Sequence, residues 1–304
     1  VNAARCIKIS TFLCGFSYYC YFWDQTGKKL KNIIITDLDG SLLSHSTFSF
    51  KQIHSDILNL LDSGTLIVPA SSKTKIEMEM FCAELGRNVP FIYENGAGLQ
   101  NIQEITSEEL SEPFTLSQAA INSQQIWEIW CEFVTEELKN QCLFVHEMNV
   151  KQQADVFGLI GQKLENALAR EYSLNFKFLG NQIQLKDLNY ILSTKNLIAQ
   201  QGGRLMTLSG KHDKADYCNL IRIKQKSFGF EPFLVGVGDS ENDSYMLESC
   251  DIACIIPRPH KPLLSISMPL ERTIIAGNIA PLGWLEAVRK ALNLNHIEET
   301  LRYG

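Results

Sequence analysis

Ile33-Ile34-Ile35-Thr36 is a short, continuously apolar and β-branched run that stops at Asp37-Leu38-Asp39-Gly40-Ser41, and this design recurs along the chain. Residues 65–70 form a second such run. It ends at Ser71-Ser72-Lys73-Thr74, and a helical stretch follows through Leu85. Residues 90–93 end at Glu94-Asn95-Gly96, residues 232–237 at Gly238-Asp239, and residues 251–256 at Pro257-Arg258-Pro259. A strand that is apolar at every position, rather than at alternate ones, is buried on both faces, as in a parallel sheet with helices above and below. Such strands alternating with helical segments predict an α/β protein built on a Rossmann-like, doubly wound parallel sheet. In sheets of that kind a ligand lies outside the carboxyl ends of the strands. Here the small, polar and acidic residues gather at those ends.

At roughly 150 residues per domain, a chain of 304 residues has room for two. Residues 113–203 break the α/β rhythm. They hold a helical pattern over 117–139, a strand-like segment at 142–145 and a second helical stretch over 155–171. Residues 172–178 and 182–185 alternate polar and apolar side chains at strand spacing. Because the α/β pattern then resumes, 113–203 is expected to be an α+β cap inserted into a core formed by 32–112 and 204–304. Residues 1–31, rich in aromatics, are expected to be an N-terminal extension outside the fold, with 28–31 as a polar hinge. The apolar stretch in that extension is too short to span a bilayer, so no membrane role is expected.

Composition narrows the function. A hydrophobic fraction of 45% and a charged fraction of 20% describe an ordinary globular protein. A net charge of −6 argues against a nucleic-acid partner, which would need a basic face to neutralise phosphates. The nine cysteines contain no C-x-x-C pair and follow no regular spacing, so reduced thiols in a cytoplasmic protein are expected rather than a zinc site or a disulfide framework.

The acidic motifs carry the chemistry. Asp37 and Asp39 follow a buried strand at i and i+2, with Gly40 free to turn the chain at once, and Asp239 and Asp243 follow another. Oxygen-only clusters of this kind suit a hard cation such as Mg2+. Competing motifs fail at specific positions. A calcium loop counted from Asp37 would need Gly and Glu where Leu42 and Phe48 stand, and counted from Asp239 it meets Ser244 and Cys250. A dinucleotide fingerprint opening at Gly236 and Gly238 would need glycine in place of Glu241. A phosphate loop ending at Gly210-Lys211 lacks its first glycine, Leu205 being there, and has His212 for Ser or Thr. Solvated loop carboxylates remain the plain alternative.

Taken in order, Asp37-x-Asp39-Gly40-Ser41, Ser71-Ser72-Lys73-Thr74, Gly210-x-x-Asp213-Lys214 and Gly238-Asp239-Ser240-x-Asn242-Asp243 resemble the haloacid dehalogenase superfamily of phosphatases. Together with Glu94-Asn95-Gly96-Ala97 and Gly283-Trp284, they are similar more narrowly to the mannosyl-3-phosphoglycerate phosphatase family, over residues 33–290. The resemblance implies Asp37 as nucleophile and Asp39 as acid and base. It implies Mg2+ held by Asp37, the backbone carbonyl of Asp39 and Asp239, with Asp243 as ligand or neighbour. Ser71 would bond a phosphoryl oxygen, Lys214 would neutralise charge on Asp37 and the transferring group, and Asn242 would orient phosphate. Ala169-Arg170-Glu171-Tyr172-Ser173 resembles the family's Arg-x-aromatic-Ser segment, followed here by Leu174-Asn175 where the family has Glu-Pro. Arg170 would clamp a carboxylate, and Ser72, Lys73, Asn95, Gly96 and Ser173 would share its cleft.

Plainer roles compete. Ser71 or Ser72 could cap a helix, Lys214 could be a surface helix lysine, Arg170 an exposed helix-end arginine, and Lys73 and Asn95 loop residues. The implied activity is magnesium-dependent hydrolysis of mannosyl-3-phosphoglycerate, a small-molecule phosphomonoester, to mannosylglycerate and phosphate through an aspartyl-phosphate. The alternatives are a phosphatase for glucosyl-3-phosphoglycerate or another sugar phosphate, and a non-catalytic phosphate-binding module.

Overall fold

In the computed structural model, which describes residues 29–106, 114–202 and 204–303, the isoleucine run forms part of the central sheet. In chain order the strands among the described residues are β1 (Lys29–Thr36), β2 (Leu66–Pro69), β3 (Phe91–Tyr93), β4 (Gly98–Gln100), β5 (Phe114–Leu116), β6 (Cys142–Phe144), β7 (Ser173–Phe178), β8 (Leu197–Gln201), β9 (Met206–Gly210), β10 (Phe230–Gly238), β11 (Ile252–Ile255) and β12 (Thr273–Ile275). One five-stranded sheet has the order β12-β11-β10-β1-β2, and all its neighbouring strands are parallel. Parallel neighbours need crossover connections. Helix His54–Asp62 lies between β1 and β2, Asp216–Ser227 precedes β10, and Ser244–Glu248 lies between β10 and β11.

Ile33, Ile34 and Ile35 are all fully buried, because successive side chains leave a strand on opposite faces and both faces are covered here. Ile34 shares one core with Ile57, Met78, Phe81 and Trp284. Ile33 and Ile35 share the other with Tyr217, Ile221, Met246 and Leu247. Each such burial is worth about 1.5–3 kcal/mol, so β1 is held firmly from both sides. Thr36 at its end is level with Pro69 of β2 and Val237 of β10. Asp37, Ala70-Ser71 and Gly238-Asp239 therefore leave the sheet side by side.

The third apolar run departs from expectation. β3 pairs antiparallel with β4, and β4 with β5, in a separate three-stranded sheet. A parallel bridge, Ala70 to Ile92, joins it to the end of β2. The cause is local: Glu94, Asn95 and Gly96 adopt φ of +44°, +58° and +106°, which turns the chain straight back on itself.

The inserted region carries a four-stranded antiparallel sheet, β6-β7-β9-β8, with its own core of Ile126, Trp130, Phe144, Phe176, Leu188 and Leu208. Residues 182–185 belong to helix Gln182–Ser193 and not to a strand. Asn181 caps that helix, accepting from the Ile183 and Gln184 amides, while Gln184 reaches back to the Asn181 amide. The stretch 155–171 holds helices Val150–Phe157 and Gln162–Leu168, separated by Gly158 and Gly161 at positive φ. The 117–139 pattern is likewise two helices, Ser123–Phe133 and Glu136–Lys139.

The sheets divide the chain a little differently from the expected boundaries. β9, at 206–210, belongs to the inserted sheet, and β5, at 114–116, to the sheet with β3 and β4. We place the two crossings at Ser117 and Lys211 on that basis. Residues 1–28 of the expected extension lie outside the described residues, while Lys29–Lys31, expected as hinge, are already paired with Phe230–Pro232.

Candidate active site

Side chains from four strand ends or returns meet beyond the carboxyl edge of β1. Asp37, directly after β1, is buried, and so are Asp239, directly after β10, and Asp243 on the following turn. The Lys214 ammonium, 1% exposed, lies 2.7 Å from Asp37 Oδ1 and 2.7 Å from Asp243 Oδ1. That burial excludes the surface-lysine reading. Burial works against the ammonium, but Asp243 and Asp37 outweigh it and hold Lys214 above its ordinary pKa. Asp243 is itself fixed, because its Oδ2 accepts from the Asp239 and Ser240 amides, each at 3.1 Å.

Asp37, Asp239 and Asp243 each offer a carboxylate oxygen within 4.8 Å of the others. Burial pushes the Asp37 carboxyl well up, Lys214 opposes the shift, and Asp243 and Asp239 add to it. Burial and then Asp243 push Asp239 up to about 7, against Arg258 and Lys214. Three buried carboxylates facing the Lys214 ammonium leave the cluster short of positive charge. The donors are all oxygens, so these residues fit a hard divalent cation. Gly40 is required beside them. It adopts φ of +91°, and a Cβ there would fall 2.6 Å from Asp239 Oδ2.

Asp39 is placed differently. Its Oδ2 lies 2.7 Å from Lys73 Nζ, with side-chain exposures of 33% and 21%, while its Oδ1 is buried without a hydrogen-bond partner. It is the carboxyl group of the set that reaches toward solvent. Burial opposes the Lys73 ammonium, but Asp39 and Glu77 raise it. The Lys73 ammonium also stands 5.7 Å from the Phe48 ring centroid.

The capping alternative for the serines is excluded, because Thr74 caps helix Lys75–Leu85. Its side chain accepts from the Glu77 amide and Glu77 returns a bond to the Thr74 amide. Ser71 is left 1% exposed at the level of Asp37, its Oγ accepting from the Lys73 amide at 3.3 Å. The Ser72 carbonyl accepts from Arg170 Nη2 at 3.1 Å. Arg170 Nη1 donates to Ser173 Oγ at 3.0 Å, so Arg170 ties the insertion to the β2 loop and is no free helix-end residue. Its Nε is buried and unpartnered.

Asn95 Oδ1 is also buried without a partner. A Cβ on Gly96 would lie 2.2 Å from the Asp213 carbonyl oxygen, so this glycine lets the β3 turn press on the segment that carries Lys214. Asn242 sits on the turn Glu241–Asp243, its Oδ1 accepting from Ser240 Oγ at 2.5 Å.

Residues outside the candidate set complete the arrangement. Glu94, 1% exposed, accepts from the Glu171 and Tyr172 amides and from Ser173 Oγ. Ser41 Oγ donates to Asp239 Oδ1 at 3.4 Å. Trp284 Nε1 donates to Thr36 Oγ1 at 2.9 Å, bracing the residue before Asp37. Arg258, which opposes the rise at Asp239, pairs with Glu241 at 3.2 Å. The sequence carried one hint of Glu94: a charged residue ending an otherwise apolar run.

Residues 34–267 match the haloacid dehalogenase-like hydrolase family. A protein of Persephonella marina named glucosyl-3-phosphoglycerate/mannosyl-3-phosphoglycerate phosphatase is 29% identical over 86% of this chain and 97% of its own length. A protein of Methanococcoides burtonii with the same name is 25% identical over 88% and 99%. Among solved structures, a phosphatase of the HAD superfamily from Bacteroides thetaiotaomicron superposes with a TM-score of 0.58 at 16% identity, covering 89% of this chain and 96% of that one. A protein from Thermotoga maritima superposes with a TM-score of 0.56 at 16% identity, covering 85% and 96%. At such identities the two structures speak for the fold.

Proposed function

This chain belongs to the haloacid dehalogenase-like hydrolases, and we propose that it is a magnesium-dependent phosphatase that removes phosphate from a glycosyl-3-phosphoglycerate. The observation that carries the reading is the Lys214 ammonium buried between Asp37 and Asp243. A carboxylate held this way is fixed in direction and shielded from water, which is what a nucleophile approaching an anion requires.

Asp37 attacks phosphorus in line with the ester oxygen. The P–O ester bond breaks as the Asp37–phosphorus bond forms, and Asp39 gives its proton to the departing alkoxide. Asp39, now ionised, takes a proton from water. That water attacks the aspartyl-phosphate and Asp37 leaves as carboxylate, so one hard displacement becomes two easier ones. Ser71 and Lys214 donate to phosphoryl oxygens, and Lys214 keeps its proton throughout. Mg2+ held by Asp37, Asp239 and the Asp39 carbonyl, with Asp243 beside it, would offset charge between the anionic nucleophile and the anionic ester. Lys73 stands ready to exchange its pairing with Asp39 for one with substrate, freeing Asp39 for proton transfer.

Both named relatives act, by name, on glucosyl- and mannosyl-3-phosphoglycerate. Such a substrate carries a carboxylate beside the phosphate. Arg170, with a buried Nε–H lacking a partner, faces the β2 loop where that carboxylate would sit. The insertion between the crossings at Ser117 and Lys211 acts as the cap that selects the glycosyl group and excludes water. The described residues contain no helix long and apolar enough to cross a membrane, and Cys82, Cys131, Cys142, Cys218, Cys250 and Cys254 are free thiols; a cytoplasmic setting fits both.

Phosphate release tests the reading, with Mg2+ and a panel of mannosyl- and glucosyl-3-phosphoglycerate, hexose phosphates and p-nitrophenyl phosphate. Turnover is expected to be fastest on the two glycosyl phosphoglycerates. Silence on every phosphomonoester would leave a phosphate-binding module as the only reading. Preference for a simple hexose phosphate would retain the enzyme and discard this substrate class.

A further inference from the structure

Glu94 is a buried carboxylate that the hydrolytic steps do not use. Its surroundings are unusually complete. The two oxygens accept from Glu171 N at 2.8 Å, Tyr172 N at 3.1 Å and Ser173 Oγ, all on the segment that leads into β7. Its backbone is tied elsewhere. The Glu94 amide donates to the Lys73 carbonyl at 2.8 Å and the Asn95 amide to the Ser71 carbonyl at 2.9 Å. The Glu94 carbonyl accepts from His212 Nε2 at 3.0 Å.

The residue holds φ of +44° and Asn95 follows at +58°, left-handed conformations that cost of order 1 kcal/mol for a residue with a side chain. Such a turn persists where its surroundings over-determine it, and here they aim one carboxylate from the core into the cap. The same cap segment carries Arg170, whose guanidinium bonds Ser173 Oγ and the Ser72 carbonyl. Ser173 Oγ is thus shared: it accepts from Arg170 and donates to Glu94.

We propose that Glu94 is a positioning residue that anchors segment 170–173 to the core, thereby setting Arg170 against the Ser71–Lys73 loop and fixing which phosphate esters the site accepts. The inference rests on the phosphatase reading and goes beyond it, because Glu94 acts through Arg170 rather than on the reacting phosphate. Two backbone amides and a hydroxyl converging on one buried carboxylate form charge-assisted bonds, about twice as strong as neutral ones. The backbone bonds of Glu94 hold its own Cα in place whatever its side chain. Replacing the carboxylate alone therefore loosens the cap segment and leaves the core loops where they are.

Glu94→Gln is the test, since it preserves shape but turns one acceptor into a donor that faces amide N–H groups. For a glycosyl-3-phosphoglycerate, kcat/KM is expected to fall about 30-fold, mainly through KM, the scale of a buried charge-assisted hydrogen bond lost. For p-nitrophenyl phosphate, too small to need the cap, it should stay within about 3-fold. Hydrogen exchange of the Glu171 and Tyr172 amides should accelerate in the variant. Equal losses on both esters would reduce Glu94 to a structural residue, and unchanged exchange at 171–172 would remove the anchor altogether. If the wild-type enzyme hydrolyses p-nitrophenyl phosphate but no glycosyl phosphoglycerate, the substrate reading fails and the exchange measurement still decides the anchor. Glu94→Asp keeps the charge but shortens the reach by one methylene. It serves as the second variant with the same readouts should Glu94→Gln fold poorly.

Discussion

Lys214 shows how much one side chain carries in this site. Its ammonium is the charge that pairs with both Asp37 and Asp243 at 2.7 Å, and removing one member of a buried ion pair costs about 3–5 kcal/mol because the partner charge is left uncompensated. Lys214→Met is expected to lower kcat/KM by at least about 1000-fold and to destabilise the fold, since the adjacent carboxylates lose their counter-charge. Asp37→Asn removes the proposed nucleophile yet relieves crowding in the same cluster. It should be equally inactive but at least as stable as wild type. Phosphate release and urea unfolding on the two variants separate these effects; a Lys214→Met protein as stable as Asp37→Asn would contradict the charge argument. Single residues were also the most legible part of the sequence, because the acidic positions follow strands whose ends are unmistakable. Thr74 was not, since Ser71, Ser72 and Thr74 all precede the helix and only its geometry shows that Thr74 holds the cap. That assignment leaves Ser71 without a capping role, buried at the mouth of the strands.

Among elements, the crossings between core and insertion were the hardest to read. Strand pairing joins residues far apart in sequence, so β9 at 206–210, which follows the inserted stretch in the chain, belongs to the cap sheet through its pairing with β7. Helix Gln182–Ser193 is not legible as one from its start, because Gln182-Ile183-Gln184-Leu185 alternates over too few residues to distinguish a period of two from one of 3.6. The run Leu185, Leu188, Leu192 and the Asn181 capping box were the better signal.

The return crossing has a pH signature of its own. His212, 3% exposed, bonds the Glu94 carbonyl, and burial lowers its pKa from the usual 6.5. A histidine whose folded-state pKa is depressed contributes stability that is full above the unfolded value and is lost as pH falls through the folded one. The share of stability that His212 contributes should therefore decline as pH drops below about 6.5, by at most ~1.4 kcal/mol per pH unit from one proton, against the opposite slope set by the acidic cluster. His212→Gln, which keeps a donor for the Glu94 carbonyl, should flatten that part of the profile in chemical unfolding between pH 4.5 and 7. An unchanged slope would place the acid sensitivity elsewhere.

For the molecule as a whole, a doubly wound core interrupted by a cap was readable because the strand-end motifs keep their order across the interruption. What could not be read is the charge balance that folding imposes, since carboxylates spread over residues 37–243 become neighbours only in three dimensions. That balance yields a measurable linkage. Asp239 is pushed up to about 7 by burial and Asp243, so without a cation the stability it lends is full below the ordinary carboxylate value of 3.8 and is lost as pH rises through about 7. A divalent cation held by the ionised carboxylates would compete with protons for them, so its stabilising effect should grow over the same range. At a concentration 100-fold above its Kd, Mg2+ would add about 2.7 kcal/mol, or a Tm rise of roughly 5 °C for a chain of this size. In chelated His212→Gln protein, where the opposing histidine slope is removed, Tm is expected to fall between pH 5 and 8. Adding Mg2+ should restore several degrees at pH 8 but far less at pH 5. A magnesium effect of equal size at both values would mean that the ion binds somewhere other than the Asp37, Asp239 and Asp243 cluster. No effect at pH 8 would show that Lys214 and Arg258 already balance the charge without it.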